Sequence, residues 1–329
     1  MGQPVITDGG LATELEDQGH DLSDDLWSAR LLADAPGAIK AAHLAYFRAG
    51  AMIATTASYQ ASFEGFAARG IGPAEAARLL RRSVSLAREA RAELADDGRQ
   101  RWVAASVGPY GAMLGGGEEY VGRYGRTVRQ LRDWHRPRAE VLAGAGADLL
   151  AVETIPDIDE AEALVALVSD LGVPAWLSYT ICGDQTRAGQ PLRDAFAVAA
   201  GIPQVVAVGV NCCAPADVAA AVSLAAGVTG KPVIAYPNSG ETWEGRRRVW
   251  VGRPQPPLPD LAPQWVANGA RIVGGCCRVT PSAIAAISRV LAALHDLLRR
   301  EPHYAPPPTA PTFATMASLV PPAGTDRIV

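Results

Sequence analysis

The chain is predicted to fold as a (β/α)8 TIM barrel over residues 1–300, a single α/β domain, followed by a proline-rich arm over residues 301–329. Three observations predict it. Short β-rich runs alternate with longer helix-like stretches eight times, and strict alternation implies a parallel sheet because parallel neighbours need helical crossovers. A barrel of eight such units uses roughly 250 residues or more, which the chain supplies. No Gly-x-Gly-x-x-Gly follows the first strand, so an open dinucleotide-binding sheet is disfavoured.

The predicted strands, in order, are Val5–Asp8, Met52–Ala57, Trp102–Gly108, Leu149–Thr154, Ala175–Ile181, Val205–Cys212, Val233–Pro237 and Ile272–Cys276. Each is a short apolar run bounded by turn residues. The helices between them have apolar spacing near 3.6: Pro36–Arg48, Pro73–Ala95, Arg126–Ala145, Ile158–Leu171, Leu192–Ala200, Pro215–Ala226, Leu261–Asn268 and Pro281–Arg299. Several open with Pro in the first turn, as at Thr280-Pro281, which suits the missing N–H of that residue. Gly50, Gly144 and Gly269 each stand between a helix and the next strand, the place of a C-terminal cap.

Composition narrows the function. A hydrophobic content of 49% with 19% charged residues indicates a large buried core, and a net charge of −4 argues against a nucleic-acid partner. Apolar stretches break before the roughly 20 residues of a membrane helix. The start has no basic region leading into an apolar one, and five cysteines make no disulfide framework. A cytoplasmic location is expected. Two irregular regions remain. Residues 238–259 carry Trp243, Trp250 and four prolines after the seventh strand, where barrel loops form site walls. The tail from Glu301 holds seven prolines and is expected to be an extended arm.

In a parallel barrel the chemistry sits at the carboxyl ends of the strands. Here those ends collect Asp8, Thr55-Thr56, Glu153-Thr154, Asn211-Cys212, Tyr236 and Cys276-Cys277. Four of the five cysteines form two adjacent pairs, Cys212-Cys213 and Cys276-Cys277, at the ends of strands six and eight. Zinc bound by Cys212, Cys276 and Cys277 would have three soft thiolate ligands and an open fourth position. Side chains alternate along a strand, so only one of Cys212 and Cys213 should face the axis. Gly274-Gly275 relaxes the backbone enough for both Cys276 and Cys277 to turn inward. Cys182 reads as a bystander. Asp8 and Glu153 end apolar strands and could act as a base, a metal ligand or a clamp for an ammonium group. None of the five histidines falls at a strand end. A thiolate-rich, histidine-poor zinc site suits a thiol substrate better than an activated water.

Seven motifs in order, Asp8-Gly9-Gly10, Thr55-Thr56-Ala57-Ser58-Tyr59-Gln60, Gly108-Pro109-Tyr110-Gly111, Glu153-Thr154-Ile155-Pro156, Gly209-Val210-Asn211-Cys212, Tyr236-Pro237-Asn238-Ser239-Gly240 and Gly274-Gly275-Cys276-Cys277-Arg278, resemble those of the homocysteine S-methyltransferases. The likeness is to the short enzymes that use S-methylmethionine. It implies zinc on Cys212, Cys276 and Cys277 as the catalytic centre, and Asp8 and Glu153 at the homocysteine amino group. Gly9, Thr55 and Asn211 fall in the same motifs and are expected at the substrate. The implied reaction moves a methyl group from a sulfonium to the homocysteine sulfur, giving methionine, with Tyr59, Tyr236 or Trp243 facing the positive charge. S-adenosylmethionine as donor, a selenium or other thiol acceptor, a barrel metal-dependent hydrolase or lyase, and a non-catalytic barrel with structural zinc or redox-sensing thiols are the alternatives.

Overall fold

The computed structural model describes residues 3–22, 27–244, 249–252 and 256–300. The arm expected over residues 301–329 lies outside them. Eight parallel strands carry the architecture: β1 (Val5–Ile6), β2 (Ile53–Thr55), β3 (Trp102–Val107), β4 (Leu149–Ile155), β5 (Ala175–Tyr179), β6 (Val205–Asn211), β7 (Val233–Tyr236) and β8 (Ala270–Val273). Each pairs in register with its chain neighbour from β2 to β8, and β8 pairs back onto β1. The remaining seam, between β1 and β2, is bridged at Thr7 and Ile53. There the Met52 amide donates to the Ile6 carbonyl at 2.6 Å and the Asp8 amide to the Ile53 carbonyl at 3.1 Å.

The crossover helices are α1 (Pro36–Arg48), α2 (Pro73–Ala92), α3 (Val128–Ala143), α4 (Ile158–Leu171), α5 (Leu192–Ala197), α6 (Pro215–Thr229), α7 (Leu258–Ala267) and α8 (Pro281–Arg300). Local chemistry sets several ends. Thr127 and Gln130 form a reciprocal capping box at the start of α3, Asp157 caps α4, and Gly172 and Gly230 close α4 and α6 in left-handed conformation. By length and composition alone α8 is apolar enough to cross a membrane, which the sequence reading did not anticipate. Its Ile284, Ile287 and Leu291 are buried in the core, the side on which it packs as the last barrel helix.

Two cores follow from strand alternation. Residues of one parity pack outward under the helices. The other parity fills the lumen with Ile53, Trp102, Ala104, Leu149, Ala151, Trp176, Ala207, Ile234 and Ile272. Large and small side chains meet across the register, Trp176 lying between Ala151 and Ala207. Continued toward the carboxyl ends, this same inward parity reaches Thr55, Ser106, Glu153, Ser178, Asn211 and Tyr236, where apolar filling gives way to polar groups. Replacing the wholly buried Trp176 by Ala is expected to cost about 3–5 kcal/mol of unfolding free energy, read by urea denaturation. A loss below about 1 kcal/mol would show that Trp176 does not fill the lumen.

Candidate active site at the carboxyl end of the barrel

A cavity of about 400 Å³ opens over that polar layer, within the usual size range of a small-molecule site. Asp8, Gly9, Thr55, Glu153, Cys212, Cys276 and Cys277 all line it. Asp8 is held by Thr55, whose amide donates to Oδ2 at 2.7 Å and whose hydroxyl donates to Oδ1 at 3.0 Å. Glu153 Oε1 accepts from the Ser106 hydroxyl, and Oε2 from the Tyr236 hydroxyl at 3.0 Å, which itself accepts from Trp176 Nε1 at 3.0 Å. Burial pushes both carboxyls up to about 7 despite these donors, and Glu153 adds to the rise at Asp8. Two buried carboxylates facing one cavity favour a cationic guest.

The cysteines reach the cavity through loops. β8 stops at Val273, and the chain continues through Gly274 and Gly275, whose amides donate to the Ala235 and Asp8 carbonyls. Neither glycine has positive φ. They are required because a Cβ at 274 would strike Thr7 and Asp8, and one at 275 would strike Val279, so close packing rather than backbone freedom explains them. The left-handed residues are Cys212 (φ 46°) and Arg278 (φ 64°), one at each cysteine turn. The chain after β7 ties the two turns together: the Cys276 amide donates to the Pro237 carbonyl at 2.7 Å, the Cys277 amide to Asn238 Oδ1 at 3.2 Å, and the Asn238 amide to the Cys213 carbonyl at 3.1 Å.

The Cys212, Cys276 and Cys277 sulfurs lie within 4.8 Å of one another. Cys213 turns away into the apolar core and Cys182 is exposed on the hairpin Ile181–Cys182/Gln185–Thr186. Cys212 and Cys276 are joined as a disulfide and Cys277 is free. The three residues fit zinc, which takes soft thiolates in tetrahedral sites. Burial, with Glu119 and Glu16 nearby, pushes the Cys277 thiol up to about 12, so an ionised triad requires a compensating cation. Binding a metal through all three also requires the Cys212–Cys276 pair to be reduced.

Asn211, expected at the substrate, lies beneath the cavity rather than on its wall. It is fully buried. Its Oδ1 accepts from the Thr154 amide at 2.8 Å and the Ser178 hydroxyl at 2.7 Å, and its Nδ2 donates to Thr154 Oγ1 at 2.7 Å. This clamp holds Thr154 at φ 59°, inside β4 where its register with β5 shifts between Val152 and Ile155, beside Glu153. The loop after β7 forms a hairpin, Thr242–Glu244 against Val249–Val251, that sets Trp250 in the cavity wall. The Trp243 ring lies outside the described residues. Tyr59 and Tyr236 line the cavity as anticipated. Glu119 and Tyr120 do so from the loop after β3 and were missed, their only signal being Glu-Glu-Tyr behind three glycines at a strand's carboxyl end.

The profile of the homocysteine S-methyltransferases matches residues 5–291. The chain is 48% identical to the homocysteine S-methyltransferase of Escherichia coli over 290 residues, covering 86% of this chain and 94% of that protein. It is 42% identical to the selenocysteine Se-methyltransferase of Brassica oleracea var. italica, over 90% and 91% of the two chains. The metallated crystal form of an E. coli homocysteine methyltransferase superposes with a TM-score of 0.80 at 46% identity, covering 88% of this chain and 96% of that one. An oxidised form superposes at 0.79 with 47% identity, over 87% and 95%. With three cysteines meeting on an eight-stranded barrel's cavity and this agreement along nearly its whole described length, the chain belongs to the homocysteine S-methyltransferase family.

Proposed function

We propose that the protein transfers a methyl group from a sulfonium donor, S-methylmethionine first, to the sulfur of homocysteine, forming methionine. The observation that carries the reading is three cysteine sulfurs within 4.8 Å of one another on a cavity whose wall also holds two buried carboxyls. Zinc held by Cys212, Cys276 and Cys277 would keep the incoming thiol, otherwise mostly protonated at neutral pH, as a nucleophilic thiolate.

The chain's own residues do the rest. Asp8 and Glu153 meet the homocysteine ammonium, and Thr55, Ser106 and Tyr236 hold those carboxylates in place. The homocysteine sulfur lone pair forms a bond to the methyl carbon as the donor's carbon–sulfur bond breaks. That bond's electron pair stays on the donor sulfur, which leaves as a neutral thioether. No proton moves in this step, so no general base is needed. Because charge is consumed, a cavity that excludes water favours it, and Gly9 lets the cavity wall pack closely, since a Cβ there would strike the Val279 carbonyl and the Tyr46 ring. The motifs Pro237-Asn238-Ser239-Gly240-Glu241 and Cys276-Cys277-Arg278-Val279-Thr280-Pro281 support S-methylmethionine as donor. Selenocysteine is a second acceptor to test, since a 42% identical relative carries that activity in its name.

A donor panel with homocysteine, reading methionine formed, tests the reaction. S-methylmethionine should give the fastest turnover, and no methionine from any sulfonium would sink the reading. Cys276→Ser should abolish transfer and weaken zinc by more than the roughly 10–100-fold typical of losing a metal's outer-shell partner. Unchanged zinc content with unchanged turnover would remove the cysteines from the mechanism. Asp8→Asn and Glu153→Gln should each raise the KM for homocysteine about tenfold or more.

The pH dependence has a definite sign. In the free enzyme both carboxyls are raised to about 7 by burial, so acid neutralises them and removes the ammonium's partners. The kcat/KM for homocysteine should therefore fall from pH 8 to pH 6, by about tenfold for each carboxyl that must be ionised. A profile flat across that range would mean that these carboxyls do not bind the substrate in their ionised form.

A further inference from the structure

The loop after β3 holds a charged group that the reaction described above does not use. Gly115 and Gly117, at φ 76° and 93°, turn the chain back over the barrel mouth into a single 3-10 turn, Glu118–Tyr120. The base of the loop is rigid. Arg138 donates to the Gly108 carbonyl, and Glu160, bonded to His135 at 2.8 Å, accepts from the Tyr110 amide at 2.6 Å.

The two adjacent glutamates of the turn face different surroundings. Glu118 fastens its own loop, accepting from the Gly116 amide at 2.8 Å. Glu119 stands in the cavity wall with Tyr59 and Tyr120, and its Oε2 is buried with no hydrogen-bond partner. Among the described residues no cationic side chain forms an ion pair with it. A buried carboxylate oxygen without a partner is costly unless a ligand brings the missing charge. The acceptor's ammonium already has Asp8 and Glu153. Glu119 lies instead toward the reacting end: its neighbour Tyr120 contacts the Cys277 thiol through its hydroxyl.

We propose that Glu119 is the counter-charge for the methyl donor, its carboxylate meeting the sulfonium centre beside Tyr59. This rests on the sulfonium methyl-transfer reading and adds its donor subsite. The consequence for catalysis is specific. The donor's positive charge is full before methyl transfer and gone after it, so an anion beside it stabilises the bound donor at least as much as the transition state. Glu119 therefore acts on donor KM rather than on kcat, and its hold vanishes once the neutral thioether forms.

The test is steady-state kinetics of the zinc-loaded full-length protein, varying S-methylmethionine and homocysteine in turn. Glu119→Gln, which keeps the shape and removes the charge, should raise the S-methylmethionine KM about tenfold or more with kcat within about twofold. The homocysteine KM and the zinc content should stay unchanged. Glu119→Asp should recover part of the loss, and Glu118→Gln should behave as the parent protein. A Glu119→Gln donor KM equal to the parent's would overturn the proposal while leaving the methyl-transfer reading intact, and so would an equal rise in homocysteine KM. If the parent protein takes methyl groups from no sulfonium at all, the reading and this inference fall together.

Discussion

The seam between β1 and β2 is where the sheet closes, and the site depends on that closure. β1 is only two residues long, yet Thr7 and Asp8 continue its bonding, to Val273 on one side and Ile53 on the other. The Gly275 amide then donates back to the Asp8 carbonyl at 3.1 Å. Through these bonds a residue eight positions into the chain comes to share a cavity with cysteines near position 276. Opened at the β1–β2 seam, the same strands would leave Asp8 and its partner Thr55 at opposite edges.

Above the closed lumen the molecule gathers negative charge. Asp8, Glu153 and Glu119 are carboxyls pushed up by burial, and the Cys277 thiol is pushed up by the same cause. Left alone, these groups favour their neutral forms. The proposed reaction brings three kinds of cationic group to the same cavity: the metal ion, an amino-acid ammonium and the sulfonium. Each can be matched to a separate set of side chains, which accounts for a site rich in carboxyls and thiols. Fixed hydrogen bonds at Asp8 and Glu153, from Thr55, Ser106 and Tyr236, mean that little reorganises when the guests arrive.

Much of this was legible in the residues. The bounds of α1 and α4 coincide with the apolar periodicity and its Pro, Asp and Gly punctuation, and all eight strands fall where β-rich runs were read. Every strand end but that of β4 was read too long. β8 stops at Val273 because the chain then turns through two glycines, and Gly274 packs against Thr7 and Asp8, a contact between residues about 270 apart that no local pattern encodes. Asn211 shows the same limit. Its position in the motif was plain, but its side chain points beneath the cavity to clamp Thr154, and the direction follows from the register of β4, β5 and β6. Glu119 went unread because an irregular loop has no periodicity from which to infer which of two glutamates turns inward.

The sequence by itself determined the barrel, the end of it that carries chemistry, and the cysteine and carboxyl residue types gathered there. These are properties of period and composition, and alternation at two or 3.6 residues is written into any short window. Only the tertiary structure decided which atoms converge: Glu119 and not Glu118 in the cavity wall, Thr55 and not Thr56 as the partner of Asp8. Those choices depend on strand register, loop packing and the closing seam. They are set by contacts between distant residues, whose geometry exists only once the sheet has closed.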